Sequence, residues 1–368
     1  MNKRIAIACQ GGGSQCAFVA GALKTFFQRG ADQDFDVVGF SGTSGGAITA
    51  ALAWFGMLDR AQGGTTPVEE RIMACWRDLT AQTSLEILLD SFCIQLVRMV
   101  ESGMLPTIAS SPSAPAFKLW SKAASLLIGR PEYTDLRALL TKHLHFDNLH
   151  SLVTPDSPVL LVSAADVCEG SFKIFSSAHD EIQIQSILAS AAIPNLFPAT
   201  WVDGHAYWDG IFSSNPPVSA FFKRAYTAGA FPQEIWVLQV NRSEHAFVPE
   251  RPSDISDRRN HLAGNLSLQH ELQLIDIVNL LIEHGALTDK FRAELDMDTT
   301  EPITVRFIRM SERLIDSLDY PSKLSRNPQH IARLVADGEV QMSAFLDRLS
   351  AAEVDQGATN SEASGQVH

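Results

Sequence analysis

Short apolar runs alternate with glycine-rich turns and apolar helical stretches near the start of the chain. Ile5–Cys9 is an apolar run followed by three glycines, and apolar residues then recur at helical spacing from Cys16 to about Gly30. A second run, Val37–Phe40, leads through another glycine-rich turn into the small apolar stretch Ala47–Phe55. The pattern predicts a β-loop-α-β-turn-α unit with parallel pairing and a right-handed crossover.

The rest of the pattern predicts a sheet assembled from widely separated segments. Further strands are predicted at Val159–Ser163, Phe172–Phe175 and Ile235–Val240, and Ile303–Ile308 is an exception to the helical pattern near the end of the chain. Between them, Leu85–Gly129 has an amphipathic helix, a Pro/Ser-rich stretch and a second apolar helix, which is typical of a lid or an insertion. From about Leu266 the pattern is mostly helical.

These elements predict an α/β fold with a central, mainly parallel sheet and a mostly helical C-terminal region. We expect residues 1–230 to form the main domain, with 85–129 as its lid or insertion. Residues 231–350 are expected to add a strand and helices that complete or cap the fold. The small, polar tail 351–368 is predicted to be disordered.

Composition narrows the class of protein. The 368 residues include 29 Lys and Arg against 42 Asp and Glu, giving a net charge of −13, whereas nucleic-acid surfaces need clustered cations. With 45% hydrophobic and 19% charged residues, the chain reads as globular rather than disordered, collagenous or coiled-coil. The five scattered cysteines predict free thiols in a reducing compartment.

The sequence shows neither a Sec-type signal nor an apolar window long enough for a membrane-spanning helix. It therefore predicts a cytoplasmic protein, with peripheral membrane contact and signal-independent export left open. Given the acidic balance, such membrane contact would rest on exposed apolar side chains and depend weakly on salt.

The sequence Gly42-x-Ser44-x-Gly46 lies at a predicted strand-to-helix junction. In a nucleophile elbow, a serine on such a strained turn exposes its hydroxyl at a helix N-terminus, and the flanking glycines avoid collisions. The alternative is an ordinary glycine-rich turn.

Gly11, Gly12 and Gly13 follow the first predicted strand and open a helix. Such a loop presents several backbone amides, which suit a phosphate or a tetrahedral oxyanion. A dinucleotide site is disfavoured because the G-x-G-x-x-G pattern ends in Cys16.

Asp209-Gly210 precedes a segment that Pro216 and Pro217 restrict. An aspartate fixed in this way can aim its carboxylate at a partner and act as a general base. The alternative is an ordinary Asp-Gly turn, as predicted at Asp203-Gly204.

Together, these three motifs resemble the patatin-like phospholipase family, and the resemblance extends over about residues 5–220. Ala189–Pro194 and Phe197-Pro198 resemble the family's segment leading to the aspartate. The resemblance implies a three-layer sandwich and a Ser-Asp dyad, and its site residues are Ser44 as nucleophile, Asp209 as base, Gly11, Gly12 and Gly13 as oxyanion hole, and Gly42 and Gly46 as elbow glycines.

The activity implied is hydrolysis of phospholipid or lysophospholipid esters through an acyl-enzyme, without a cofactor or metal. The apolar side chains of 85–129 would border the acyl site, or serve as plain core. These are Leu88, Leu89, Phe92, Leu96, Met99 and Met104.

Other interpretations remain open. Gln15, Cys16 and Ile211 depart from the family pattern, so the alternative is a weakly active or inactive lipid-binding or regulatory protein. A Ser-Asp-His hydrolase is disfavoured because too few strands precede Ser44; its histidine candidates would be His245, His261, His270, His284 and His330. A zinc site at His143, His145 and His150, and a calcium loop at Asp32, Asp34 and Asp36, are also disfavoured.

Overall fold

A computed structural model of the chain describes residues 2–106, 111–146, 149–178, 182–194, 196–227, 231–245, 247–294 and 301–364. Its described strands are β1 (Lys3–Cys9), β2 (Phe35–Gly42), β3 (Val159–Asp166), β4 (Phe172–Ser176), β5 (Thr200–Val202), β6 (His205–Asp209), β7 (Glu234–Gln239) and β8 (Thr304–Arg309). They form one sheet in the order β5-β6-β3-β2-β1-β7-β8, with β4 paired to β3.

The described helices flank this sheet. They are α1 (Ala17–Gln28), α2 (Ala31–Asp34), α3 (Gly45–Ala61), α4 (Val68–Leu79), α5 (Ser84–Glu101), α6 (Pro115–Ile128), α7 (Pro131–Thr134), α8 (Leu136–His143), α9 (Leu149–Leu152), α10 (Ile184–Ser190), α11 (Arg224–Thr227), α12 (Pro252–Glu283), α13 (Asp289–Glu294), α14 (Glu312–Ile315) and α15 (Pro328–Ser364). Short 3-10 turns at Gly13–Cys16, Gly210–Phe212, Ser219–Phe222 and Pro321–Leu324 complete the regular structure described.

The core lies on both faces of the sheet. Because strand side chains alternate, Ile5 and Ile7 of β1 pack with α1, α3, α4 and α15, while Ala6 and Ala8 pack with the segment 218–222 and α12. The result is three layers, and the predicted α/β fold is confirmed.

Parallel pairing extends from β3 to the edge strand β8. Strands β3, β2, β1, β7 and β8 pair in parallel, whereas β4, β5 and β6 pair antiparallel at one edge. The sequence pattern did not predict β5 and β6, which are short strands joined by the Asp203-Gly204 turn, where both residues have positive φ. Asp209 is the last residue of β6, so this antiparallel edge determines its position.

Helices α1 and α15 pack unusually closely. A Cβ atom on Gly21 would lie 2.0 Å from the carbonyl oxygen of Val335, and one on Gly338 would lie 2.1 Å from that of Phe18. Two glycines thus allow backbone contact on both sides of this helix pair, which joins the end of the chain to its beginning.

The predicted insertion contains α5 and α6, although residues 107–110 of its Pro/Ser-rich stretch lie outside the described residues. Helix α12 begins at Pro252, before the predicted start of the helical region. Helix α15 continues to Ser364 where the sequence predicts a disordered tail, and alanines in this segment favour the helix; residues 365–368 lie outside the description. No helix in the described ranges is long and apolar enough to cross a bilayer.

Candidate active site

Ser44 lies on the turn between β2 and α3 with φ 54° and ψ −127°, a positive φ that is uncommon for serine. Its neighbours must be small: a Cβ on Gly46 would lie 2.3 Å from the Cys9 carbonyl, and one on Gly42 would lie 2.7 Å from the Ala47 amide nitrogen. Ser44 is also the residue that precedes α3, so it meets the positive end of the helix dipole. The predicted elbow therefore has the required local geometry.

The Ser44 turn is tied to two other parts of the chain. The Ser44 amide donates to the Ser190 hydroxyl at 3.0 Å. Next to it, the Thr43 hydroxyl donates to the Ser214 carbonyl at 2.7 Å and also lies 2.7 Å from the Ser163 hydroxyl. These buried contacts fix the turn against α10, β3 and the segment that follows Asp209.

The glycine loop packs beside this turn. A Cβ on Gly11 would lie 2.6 Å from the Thr43 carbonyl and 3.1 Å from the Ser44 Cβ, so the loop backbone approaches the serine closely. The Gly11 amide donates to Asn215 Oδ1 at 2.6 Å. Within the described part of the chain, the amides of Gly12 and Gly13 donate to no backbone oxygen, and the Gly12 amide faces the Cys16 sulfur.

Cys16 lies directly behind this loop. Its thiol donates to the Gln10 carbonyl at 3.3 Å, and its sulfur would lie 3.0 Å from a Cβ on Gly45. Burial raises the pKa of Cys16 to about 12, against the lowering effects of Lys323 and the Gly12 amide. The thiol is therefore neutral, and a thiol sulfur is only a weak acceptor for that amide.

Asp209 ends β6 and reaches the elbow from the antiparallel edge of the sheet. Its amide donates to the Ala192 carbonyl at 3.0 Å, and its Oδ1 accepts from the Ile211 amide at 2.9 Å. The close approach of β3 requires glycine next in the chain, because a Cβ on Gly210 would lie 2.3 Å from the Ser163 hydroxyl. The predicted Asp-Gly turn is thus a strand end that aims a carboxylate inward.

The second oxygen of Asp209 is free within the described residues. Oδ2 is buried and has no partner in hydrogen-bond geometry. Burial raises the pKa of the Asp209 carboxyl to about 7, against the lowering effects of the Ser44 hydroxyl and the Ile211 amide. The structure therefore brings Asp209 close enough to Ser44 for the hydroxyl to influence its ionisation.

The pair is almost closed to solvent, since Ser44 is 5% exposed and Asp209 is 1% exposed. Two surface cavities, of about 660 and 440 Å³, lie elsewhere. The first is at the amino ends of β1, β2 and β7, opposite the elbow, and the second is between α4 and α15.

The remaining candidates lie away from this pair. No described histidine hydrogen-bonds to Ser44 or Asp209; His143 bonds to Asp78 at 2.8 Å, and the His150 side chain lies outside the description. Ligand atoms of Asp166, Glu169 and His205 lie within 4.8 Å of one another at the surface. The sequence pattern did not predict these three residues as a possible metal site.

Four further residues of the site were not assigned a role from the sequence: Ser190, Asn215, Asn241 and Lys323. Asn215 and Ser190 lie in the stretches that resemble the family, so their closeness in sequence to the motifs could have identified them. Asn241 and Lys323 lie far along the chain, outside the three motifs, although the family resemblance continues more weakly over 322–346; the tertiary fold brings both residues to the glycine loop.

A serine on a strained turn, an adjacent glycine loop and a buried carboxylate therefore lie together on a three-layer α/β fold. A model of the patatin-like phospholipase family matches residues 7–222, more than half of the chain. The chain belongs to the patatin-like phospholipase family, as the motifs predicted.

The solved structures that align with the chain are distant in sequence. VipD from Legionella pneumophila aligns with a TM-score of 0.40 and 15% identity, over 94% of this chain and 67% of that chain. The human GIVD cytosolic phospholipase A2, solved with methyl gamma-linolenyl fluorophosphonate, aligns with a TM-score of 0.42 and 13% identity over 95% of this chain. This chain spans 59% of the human protein. No curated protein matches the sequence significantly.

Proposed function

We propose that this protein hydrolyses carboxylic esters of phospholipids or lysophospholipids, with Ser44 as nucleophile and Asp209 as general base. The observation that carries the proposal is the free, buried Oδ2 of Asp209 beside a serine on a strained turn. A raised pKa near neutrality suits a carboxylate that must accept a proton and later return it.

In the first step, Ser44 Oγ attacks the ester carbonyl while its proton passes to Asp209 Oδ2. The charge that develops on the carbonyl oxygen is stabilised by backbone amides of the glycine loop. Because the Gly11 amide is already bonded to Asn215, Gly12 and Gly13 supply these donors, and Gly11 anchors the loop. The ester C–O bond then breaks, and the leaving alcohol takes the proton from Asp209.

In the second step, water attacks the acyl-Ser44 ester. Asp209 accepts a proton from the water, the same amides stabilise the second oxyanion, and Ser44 leaves with that proton. The products are a fatty acid and the deacylated lipid, and the enzyme returns to its starting state. The apo distance between the two side chains need not be that of a hydrogen bond, since such contacts often tighten only with substrate.

A lipid surface is the proposed partner, and α5 is its contact. This helix turns its acids inward, where Glu86 pairs with Arg130, and turns Leu88 and Phe92 outward with exposed fractions of 66% and 64%. Helix α5 contacts the 3-10 turn Pro321–Leu324, which in turn contacts the turn Gly13–Cys16 that follows the first two loop glycines.

Local charge favours the same partner. No Asp or Glu occurs between Glu101 and Glu132, whereas Lys118, Lys122 and Arg130 do occur there. The whole chain has a net charge of −13, so residues 102–131 form a stretch without acidic residues in an acidic protein. A bilayer surface can therefore approach α6 without the repulsion that acidic parts of the molecule exert on anionic lipid.

The test is intact-mass labelling with a fluorophosphonate probe, with and without phosphatidylcholine vesicles, followed by fatty-acid release from phosphatidylcholine and lysophosphatidylcholine. We expect one adduct on wild type, none on Ser44→Ala, and labelling slowed by about 100-fold or more in Asp209→Asn. Ser41→Ala is the matched control, because this nearby buried hydroxyl has no hydrogen-bond partner among the described residues.

Two results would contradict the proposal. A wild type that is unlabelled with and without vesicles would favour the alternative of an inactive lipid-binding protein. An adduct that persists in Ser44→Ala would place the nucleophile elsewhere.

A further inference from the structure

Lys323 is a buried lysine that forms no ion pair within 4.0 Å with a described carboxylate, and the acid that influences it is Asp257. It lies in the turn Pro321–Leu324, beyond the part of the chain that the family model matches. Its ammonium donates to the Asn241 side-chain oxygen at 2.5 Å and to that of Asn260. Burying a cation against neutral amides costs free energy, so the arrangement calls for an explanation beyond stability.

The side chain of Asn241 connects Lys323 to the glycine loop. Asn241 accepts from Lys323 through Oδ1 and donates through Nδ2 to the Gly11 carbonyl at 2.8 Å. That carbonyl and the Gly12 amide belong to one planar peptide group, so fixing the carbonyl also fixes the direction of the Gly12 N–H. A positive charge at the far end polarises the chain of amides and makes this N–H a stronger donor.

The same turn also holds the following residues of the loop. A Cβ on Gly13, which has φ 59°, would lie 2.3 Å from the Lys323 carbonyl. The Ser14 hydroxyl donates to the Ser322 carbonyl at 2.9 Å, and the side-chain Nε2 of Gln15 donates to the Ser322 hydroxyl at 3.0 Å. Three consecutive loop residues therefore contact Ser322 or Lys323.

We propose that Lys323 is a positioning residue for the oxyanion donors: through Asn241 it orients and polarises the Gly11–Gly12 peptide, and its backbone supports Gly13. The inference rests on the proposed hydrolase function, because it assigns Lys323 to the same oxyanion. Lys323 does not touch the substrate, so its loss should lower kcat and leave KM nearly unchanged.

The proposal has a pH signature. Burial lowers the pKa of Lys323 to about 8, against the raising effects of Cys16 and Asp257. The groups facing the ammonium keep one charge state around this pH, because the Cys16 thiol has a pKa raised to about 12 and burial helps lower the pKa of His261 to about 3. Burial raises the pKa of the Asp257 carboxyl. Activity should thus rise as Asp209 ionises near pH 7 and fall as Lys323 loses its charge above pH 8.

The experiment compares wild type with Lys323→Met, Lys323→Arg and Asn241→Asp, using p-nitrophenyl butyrate and the fluorophosphonate probe from pH 6 to 10. Asn241→Asp keeps an acceptor for Lys323 but cannot donate to the Gly11 carbonyl when ionised. Lys24→Met is the control, because Lys24 pairs with Glu339 on the distant α1–α15 contact. Urea unfolding of each variant reports folding separately.

We expect Lys323→Met and Asn241→Asp to lower kcat by about 10- to 100-fold, somewhat less than loss of a whole oxyanion donor, with KM within about twofold. Lys323→Arg should retain more activity than Lys323→Met and keep it to pH 10, since an arginine stays charged. A kcat unchanged in both Lys323→Met and Asn241→Asp would overturn the proposal. A wild-type rate that stays constant from pH 8 to 10 would also overturn the proposal, and this measurement does not depend on the folding of any variant.

The outcomes separate this inference from the proposed function. Wild type labelled at Ser44, with Lys323 and Asn241 variants labelled equally fast, would contradict the positioning role alone. Wild type unlabelled at Ser44 would contradict the hydrolase function and the inference together.

Discussion

The backbone amide of Ser44 donates a hydrogen bond to the hydroxyl of Ser190 at 3.0 Å. Two residues further on, the Ala192 carbonyl accepts from the Asp209 amide at 3.0 Å. The end of α10 therefore holds the backbones of both proposed catalytic residues. Their alignment depends on a helix that carries neither of them.

Replacing Ser190 by alanine should disturb this alignment. Ser190→Ala leaves the buried Ser44 amide without a partner, which costs about 1–3 kcal/mol, and it frees a strained turn. We expect fluorophosphonate labelling to slow more than in Ser41→Ala, and the free energy of unfolding in urea to fall. Equal labelling rates in the two variants would show that Ser190 does not position the elbow.

Asp209→Asn should stabilise the protein increasingly as pH rises. The folded pKa of Asp209 is about 7, above the unfolded value of about 3.9, so between these values the folded wild type binds more protons than the unfolded chain. Its stability contribution is present below pH 4 and lost as pH approaches 7. The free energy of unfolding of Asp209→Asn relative to wild type should therefore increase by about 3 kcal/mol between pH 5 and pH 8, as measured by urea unfolding.

This comparison cancels the titration of other groups, including Lys323, because both proteins share them. A difference between the two proteins that does not change with pH would mean that Asp209 keeps an ordinary pKa in the folded state.

Gly21→Ala should separate α1 from α15. In a free helix this change adds up to about 1 kcal/mol of stability, but here the new Cβ would lie 2.0 Å from the Val335 carbonyl. We expect a loss of about 3 kcal/mol in chemical unfolding, because two packed backbones must move apart. Val340→Ala, at an exposed position of α15, is the control and should change stability little. A stabilised Gly21→Ala would refute the close contact.

The outward face of α5 should decide binding to lipid. Leu88→Gln with Phe92→Gln removes two exposed apolar side chains and should reduce sedimentation with phosphatidylcholine vesicles, since each buried side chain contributes about 1.5–3 kcal/mol. Val340→Gln changes a similarly exposed apolar residue on α15 and should bind as wild type does. Cleavage of soluble p-nitrophenyl butyrate should be unaffected by all three changes. Equal vesicle binding by the double variant and Val340→Gln would exclude α5 as the contact.

The sequence pattern predicted much of the central fold correctly. Strands β1, β2, β3 and β7 are runs of buried apolar residues flanked by glycine or polar turns, and their hydrophobic pattern is local. Strands β5 and β6 were missed because they are short and half exposed, and they pair only across the sheet edge. Helix α5 was expected to border an acyl site or the core; Leu88 and Phe92 face outward, while the Glu86–Arg130 ion pair and the hydrogen bonds of Asp90 hold the opposite face.

By itself, the sequence determined the parallel centre of the sheet, the elbow at Ser44, the glycine loop and the aspartate that completes the family pattern. These features depend on the spacing of residues close in the chain and on backbone angles that glycine permits. The tertiary structure alone decided that Asn215 engages the Gly11 amide, that Ser190 holds the elbow, and that Lys323 reaches the loop through Asn241. Such contacts join residues far apart in sequence, where no local pattern records which side chains the packed core brings together.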